Sequence, residues 1–345
     1  MRAVWRGTRQ RWKNLAGVSA FALFVGILPL FLRTPYLLST MVLVGLYTLV
    51  VIGLCLLMGY AGQISLGQSA FYGLGAYGSA ILCTRFHWSP WLAMVAAAVG
   101  TGFVAYLIGV PIFRLRGHYL AMGTLAFGYI VHIVINEWTA LTRGPSGLTG
   151  IPRLRLGDIV FKADLAYYYL VWGVALIGII LALNLVHSRF GRALRALRDS
   201  EEAAESLGVR VGRYKLKALV ISAVYASVAG SLYAHYMIYV SPGICSLDAS
   251  IGFVLMAVVG GLGSVWGAPL GAAAVMFLTL GLREIVPLFT HHGSGEHQII
   301  AYGALLVLLM IYMPEGVGIA LARAWRRLDW SLVRGRLQRR WRRER

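Results

Sequence analysis

Long apolar runs recur along this chain, and they limit what it can fold into. A helix that crosses a bilayer needs about 20 mostly apolar residues. Such runs lie at about 16–32, 37–59, 61–83, 91–112, 119–141, 165–187, 217–240, 250–265, 267–288 and 298–313. They predict an all-α, polytopic transmembrane helical bundle of about ten spans. The third, eighth and ninth runs are the ones expected to be broken or re-entrant, because they are rich in Gly. Composition agrees. Of 345 residues, 59% are hydrophobic and 13% charged, against about 25% charged in ordinary domains. Soluble globular, disordered and small disulfide-rich classes are excluded. Cys55, Cys83 and Cys245 lie in or beside apolar runs without CxxC spacing, so neither a disulfide framework nor a zinc site is expected.

The formal net charge of +19 needs a separate explanation on so apolar a chain. Nucleic-acid binding is one reading of such a charge, but no RNA- or DNA-binding motif accompanies it. Topology is the other. With the first residues placed in the cytoplasm, segments 1–15, 113–118, 188–217 and 314–345 fall inside and hold 25 of the 32 Lys and Arg residues. Only Arg33, Arg85, Arg143, Arg153, Arg155, Lys162 and Arg283 fall outside. Basic residues accumulate on the cytoplasmic side of membrane proteins, so both termini are expected there. The basic tail is expected to rest on anionic lipid. The first apolar run follows basic residues, as in a signal sequence. It has no small-residue cleavage site and is read as an uncleaved first span.

Motifs for catalysis are missing. The chain contains no GxxxxGK[ST], HExxH or GxSxG. His291, His292 and His297 share a predicted external turn, which is read as a hydrated loop rather than a metal site. Glu137, Asp248 and Glu284 lie near predicted outer span ends. A charge at the centre of a membrane helix costs about 2.5–3.5 kcal/mol on insertion scales. A proton- or ion-coupled carrier would accept that cost at several positions. Its near absence points to energy supplied by another chain.

The longest predicted cytoplasmic connection is 188–217. Residues 192–207 are good helix formers, with Leu194, Leu197, Ala204 and Leu207 near one face and Gly208 as a stop. A short helix pair or one bent helix is expected. The string Glu202-Ala203-Ala204-Glu205-Ser206-Leu207-Gly208 resembles the loop by which ABC-importer permeases dock their ATPases.

Four further stretches carry a more specific likeness. They are Gly59-Tyr60-Ala61-Gly62-Gln63-Ile64-Ser65-Leu66-Gly67-Gln68-Ser69-Ala70-Phe71, Arg116-Gly117-His118-Tyr119-Leu120-Ala121-Met122 with Thr124-Leu125-Ala126-Phe127, Thr142-Arg143-Gly144-Pro145-Ser146-Gly147-Leu148-Thr149-Gly150-Ile151-Pro152, and Val259-Gly260-Gly261-Leu262-Gly263-Ser264-Val265-Trp266-Gly267-Ala268-Pro269-Leu270-Gly271. In order and content they resemble the branched-chain amino-acid ABC-importer permease family, and the 188–217 loop favours its M-type branch. The likeness covers about residues 37–315. Gln68 stands where the family often has His, and Arg143 where a Gly is common.

The resemblance implies a multi-pass subunit of a bacterial inner membrane, without chemistry of its own. It implies a basic cytoplasmic segment 1–15, a transmembrane permease domain 16–313 and a basic cytoplasmic tail 314–345. Its partners would be an H-type permease in a heterodimer, two cytoplasmic ATPases and a periplasmic substrate-binding protein. No cofactor is expected in this chain; ATP and Mg would be bound by the ATPases. Arg198, Asp199, Glu201, Glu202, Ala203, Ala204, Glu205 and Gly208 would form the ATPase-coupling loop. Gly62, Gln63, Ser65, Gly67, Gln68 and Ser69, with His118 and Tyr119, would border the translocation path. Glycines such as Gly73, Gly75 and Gly78 let helix backbones approach closely. Gly263, Gly267 and Gly271, spaced by four, are expected to pack helices, with a partner permease as one candidate surface. The external loop 142–164 is either a plain connector or the docking surface for the binding protein. Urea or short-amide transport in the same frame, an ion-coupled secondary carrier and a membrane-embedded enzyme stay open as alternatives.

Overall fold

The computed structural model describes residues 2–31, 34–115, 117–156, 159–161, 163–289 and 303. The helices are α1 (Arg2–Phe31), α2 (Pro35–Leu54, continued by a π-helical turn Cys55–Tyr60), α3 (Gln68–Phe86), α4 (Pro90–Ile112), α5 (His118–Glu137), α6 (Thr139–Thr142), α7 (Asp164–His187), α8 (Arg189–Asp199), α9 (Glu201–Ser206), α10 (Val211–Met237), α11 (Leu247–Gly260) and α12 (Gly267–Phe289). Among the described residues, four two-residue strands interrupt this all-α plan: β1 (Leu148–Thr149), β2 (Arg155–Leu156), β3 (Ile159–Val160) and β4 (Tyr239–Val240). β1 pairs antiparallel with β4, Leu148 opposite Val240, and β2 pairs antiparallel with β3.

Among the described residues, five helices are long and apolar enough to cross a membrane: α2 with its π-turn, α4, α5, α7 and α10. The apolar parts of α1, α11 and α12 are shorter. The run at 61–83 is split, since residues 61–67 are non-helical and α3 begins at Gln68. The run at 298–313 lies outside the described residues, apart from residue 303.

Residue size is distributed as a lipid-facing bundle requires. On α4, Leu92, Val95, Val99, Phe103, Tyr106 and Val110 form an exposed stripe at helical spacing. Its opposite face carries Ala93, Ala97, Thr101 and Ala105, all buried. Large apolar groups outside and small groups inside suit a helix surrounded by hydrocarbon, where close backbone packing replaces the hydrophobic effect. This is a helical membrane protein. Helix α2, apolar on all sides, is buried on all sides from Thr40 through Leu57, Leu43 and Tyr47 excepted.

The pairing of helices follows the small residues. Helix α3 runs parallel to α10, as Gln68 bonds to Ser222 and Ser79 to His235, and where they cross Gly75 lies against Ser227 and Gly230 against the Tyr72 carbonyl. The Ser231 hydroxyl donates to the Gly75 carbonyl at 2.9 Å. Helices α2 and α7 also run parallel, with Ser39 near Asp164, Gly45 against Val171 and Leu49 against Gly178. Helix α4 runs antiparallel to α10, as Gly102 meets Val224 and Gly109 meets Leu216. At one end of the bundle, α8 and α9 lie across the finish of α2 and the start of α10.

Candidate functional site

Two non-helical segments enter the bundle from opposite ends. The first is 61–67, which leaves α2 at the α8–α9 end and leads into α3. Gly62 has φ +68° there, a turn that a side chain would strain. Burial then alternates: Ala61, Gln63, Ser65 and Gly67 are buried, while Gly62 and Ile64 are exposed. The second segment, 238–246, leaves α10 at the other end, forms β4 and a 3₁₀ turn at Pro242–Cys245, and leads into α11.

The segments deliver the first turns of α3 and α11 to one place. The Ser69 backbone N–H donates to Ser250 Oγ at 3.0 Å. Ser250 Oγ donates to Ser69 Oγ at 2.7 Å, and Ser69 Oγ donates to the Cys245 carbonyl at 3.2 Å. Beside them, Gln68 Nε2 donates to the Ser222 carbonyl at 3.1 Å, near the middle of α10. The Leu66 N–H donates to Thr124 Oγ1 at 3.0 Å, which ties the first segment to α5. A cluster of neutral polar groups thus sits inside an apolar bundle. Ser65, Tyr72 and Ser227 add buried hydroxyls that have no hydrogen-bond partner among the described residues.

The helix pair α8–α9 is bonded to the first segment directly. Ser188 caps α8 by accepting from the Phe190 N–H, and Ser200 breaks the pair and caps α9 by accepting from the Ala203 N–H. Leu194, Leu197 and Ala204 are buried underneath. Arg198 Nη1 donates to the Gly59 carbonyl at 2.8 Å, and Gln63 Nε2 donates to Glu201 Oε1 at 3.3 Å. Glu201 also pairs with Lys215 of α10 at 2.5 Å. Lys215 is only 4% exposed, so its end of the pair lies out of water while Glu201 stays partly exposed. Asp199, Glu202, Ala203, Glu205 and Gly208 face outward, and Gly208 reverses the chain at φ +81°. Leu207 departs from the expected buried face: it is 82% exposed, because α9 ends one residue earlier.

Other expected site residues fall elsewhere. His118 and Tyr119 open α5 six and five residues before Thr124, and both are exposed, Tyr119 at 71%. They are not gathered with Gln68 and Ser69. Gly263 lies in an exposed turn with open space around it, so the spacing of four does not make one helical face. Gly267 and Gly271 do pack closely, against Gly260 of the neighbouring α11 in the same chain. Ser222, Ser250, Cys245 and Lys215 were not singled out by the sequence motifs, whereas Thr124 lies in the second of the quoted stretches. Lys215 carried no separate signal, since Arg213 and Lys217 flank it in the first turns of α10. His291, His292 and His297 lie outside the described residues.

Residues 36–313 match the family described as branched-chain amino acid transport system / permease component. The chain belongs to this permease family. The permease is 33% identical over 298 residues to the high-affinity branched-chain amino acid transport system permease protein LivM of Salmonella typhimurium, covering 79% of this chain and 67% of that one. It is 32% identical to LivM of Escherichia coli, over 85% of this chain and 73% of that protein. LivH of Escherichia coli, a second permease protein of the same description, is 28% identical over 79% of this chain and 90% of its own length. No solved structure matches the permease.

Proposed function

We propose that the chain is the M-type membrane subunit of an ATP-driven importer of branched-chain amino acids, in a bacterial inner membrane. The α8–α9 end faces the cytoplasm, both termini lie there and about ten spans cross the bilayer, as the distribution of 25 against seven basic residues favours. An H-type permease completes the pathway. Two ATPases bind ATP and Mg, and a periplasmic binding protein delivers substrate. The observation that carries this reading is the direct bonding of α8–α9 to the chain where α2 passes into segment 61–67, through Arg198 to Gly59 in the π-turn and Gln63 to Glu201. That segment leads within a few residues to the Ser69–Ser250 contact. A push on α8–α9 would therefore move the chain that enters the polar cluster, which suits alternating access driven from outside the subunit. A zwitterion passing neutral hydroxyls and amides would meet no fixed buried charge there.

The test is uptake by the complete transporter in proteoliposomes, with ATP inside and labelled leucine, urea or acetamide outside. Leucine accumulation dependent on ATP is expected. Accumulation of urea alone, or uptake that follows an ion gradient without ATPases, overturns the reading. Glu202→Lys, on the exposed face of α9, should reduce uptake at least about tenfold by placing the wrong charge at the docking surface. Unchanged ATPase co-purification and unchanged substrate-stimulated ATP hydrolysis in that variant would remove the docking role.

A further inference from the structure

Three cations stand in one column at the start of α10. Arg210, Arg213 and Lys217 are spaced by three and four residues, so they share one face of the helix, and all three are exposed. Among the described residues no carboxylate pairs with them, since Glu201 is taken by the buried Lys215. The column is unfavourable in isolation. Like charges at this spacing repel one another, and cations are least favourable at the N-terminal end of a helix dipole. An anion bound from outside offsets both effects. Lys217 Nζ lies 6.0 Å from the centre of the Tyr214 ring, which stacks on Phe190 at 5.7 Å. A ring face attracts the charge without occupying the three N–H donors, so Lys217 is steered and still able to bond an anion.

The column ends at the depth of a membrane surface. From Lys217 to Met237, where α10 ends, the helix rises about 30 Å, the thickness of a hydrocarbon core. Arg213 and Arg210 lie beyond that span, at headgroup level. On the other side of Lys217 the same face turns apolar. Ile221 and Val228 continue the column and are half-buried. To one side Val224 meets Gly102 of α4, and to the other the Tyr225 hydroxyl donates to the Gly178 carbonyl of α7 at 2.7 Å. The column therefore runs between α4 and α7. Val228 lies about 16 Å along the axis from Lys217, close to the depth of one leaflet.

We propose that this face of α10 binds an anionic phospholipid, with the phosphate on Arg213 and Lys217 and an acyl chain along Ile221 and Val228. A free phosphate would use the cations without the apolar part. A zwitterionic lipid carries its own ammonium, which offsets the attraction of its phosphate. The site needs only a bundle that spans a membrane; the proposed cytoplasmic side of the α8–α9 end assigns its leaflet. Lipid held here would steady the start of α10, which carries Lys215 and through it Glu201 of α9.

Native mass spectrometry of the purified complex tests the site, after equilibration in detergent with equal amounts of dioleoyl phosphatidylglycerol and dioleoyl phosphatidylcholine. A saturable phosphatidylglycerol adduct is expected, favoured about tenfold over phosphatidylcholine. Arg213→Gln and Lys217→Gln should each lower that preference about fivefold, the share of one cation at a membrane surface. Lys217→Arg should keep it. Val228→Trp, which leaves the charges and fills the apolar part, should lower the adduct several-fold. Glycerol 3-phosphate, a headgroup without chains, should not displace the lipid. Equal adducts of the two lipids, a preference unchanged in both Gln variants, an adduct unchanged in Val228→Trp, or displacement by glycerol 3-phosphate overturns the site. Absence of any adduct also overturns it, and would mean that a partner helix covers this face. The comparison of lipids on the unaltered complex keeps the test decisive if a variant fails to assemble. Uptake is not the readout, so a failed lipid site leaves the transport reading standing, and failed transport leaves the lipid site standing.

Discussion

Segments 61–67 and 238–246 do the same geometric task from opposite ends of the bundle, but different forces hold them. Segment 61–67 and the π-turn before it are tied to charged groups: Arg198 bonds to Gly59, Gln63 bonds to Glu201, and Glu201 pairs with Lys215. Segment 238–246 is held by neutral contacts. Val240 pairs with Leu148 across two strands, Tyr77 donates to the Val240 carbonyl at 3.3 Å, and Cys245 fills the space above Gly73. Steric and neutral contacts fix a position at all ionic strengths. Charged contacts near a surface weaken with salt and yield to a competing charge. On the proposed reading, the segment linked to the exposed helix pair would be the one that moves, and the other the stop against which it moves.

The largest expected effect is at Glu201. Removing its carboxylate leaves Lys215 buried without its partner. Fully buried pairs lose about 3–5 kcal/mol when broken this way, and exposed pairs about 0–1. Glu201 is 39% exposed, so Glu201→Ala should fall between, at about 2–3 kcal/mol. The reading is the thermal unfolding midpoint of the purified complex. Adding Lys215→Met removes the stranded charge and should recover most of the loss, giving a coupling energy above about 1 kcal/mol in the double-mutant cycle. Additive losses would show that the charged network does not hold segment 61–67.

A smaller effect is expected from steric change at the other segment. A methyl on residue 73 would run into Cys245 Sγ and press on its Cβ. Gly73→Ala should cost about 1–3 kcal/mol, the range for overpacking a filled interior. Cys245→Ala in the same background should restore the midpoint by making room. The salt dependence of unfolding should stay at the wild-type slope, in contrast to Glu201→Ala, where it should change. A salt-dependent loss at Gly73 would erase the distinction between the segments.

Much of this arrangement was legible in the chain, and the exceptions share a cause. Apolar runs placed the helices because burial and hydropathy follow the same periodicity. Leu194, Leu197 and Ala204 were legible as one buried face for that reason. Leu207 shares the spacing yet is exposed, because Gly208 ends the helix and turns the chain away. Gly263 fails likewise: Gly261 at φ +96° starts a turn that breaks the apparent spacing of four. The start of α3 at Gln68 was not legible within the 61–83 run. Contacts distant in sequence set it, Gly59 with Leu262 and Gly67 with Thr124. Lys215 counted only as one more basic residue of the loop, because its burial depends on where Glu201 folds back. His118 and Tyr119 entered through motif likeness, and a motif does not say which of its residues face inward.

The smallest effect is expected where the two segments meet. Ser69 N–H, Ser250 Oγ, Ser69 Oγ and the Cys245 carbonyl form a relay in which each hydroxyl accepts once and donates once. Ser250→Ala removes the middle of the relay. It leaves the Ser69 N–H unpaired in a buried place, at a cost of about 1 kcal/mol or somewhat more, and Ser250→Thr should keep most of that energy by retaining the hydroxyl. The functional consequence separates from the energetic one. If segment 61–67 moves against a fixed 238–246, this relay must break or slip in each transport cycle. Weakening it should then raise ATP hydrolysis without substrate while lowering leucine uptake per ATP, even though stability falls less than in Glu201→Ala. Unchanged basal hydrolysis in Ser250→Ala would mean that the contact stays closed throughout the cycle, and that the two segments move together rather than one against the other.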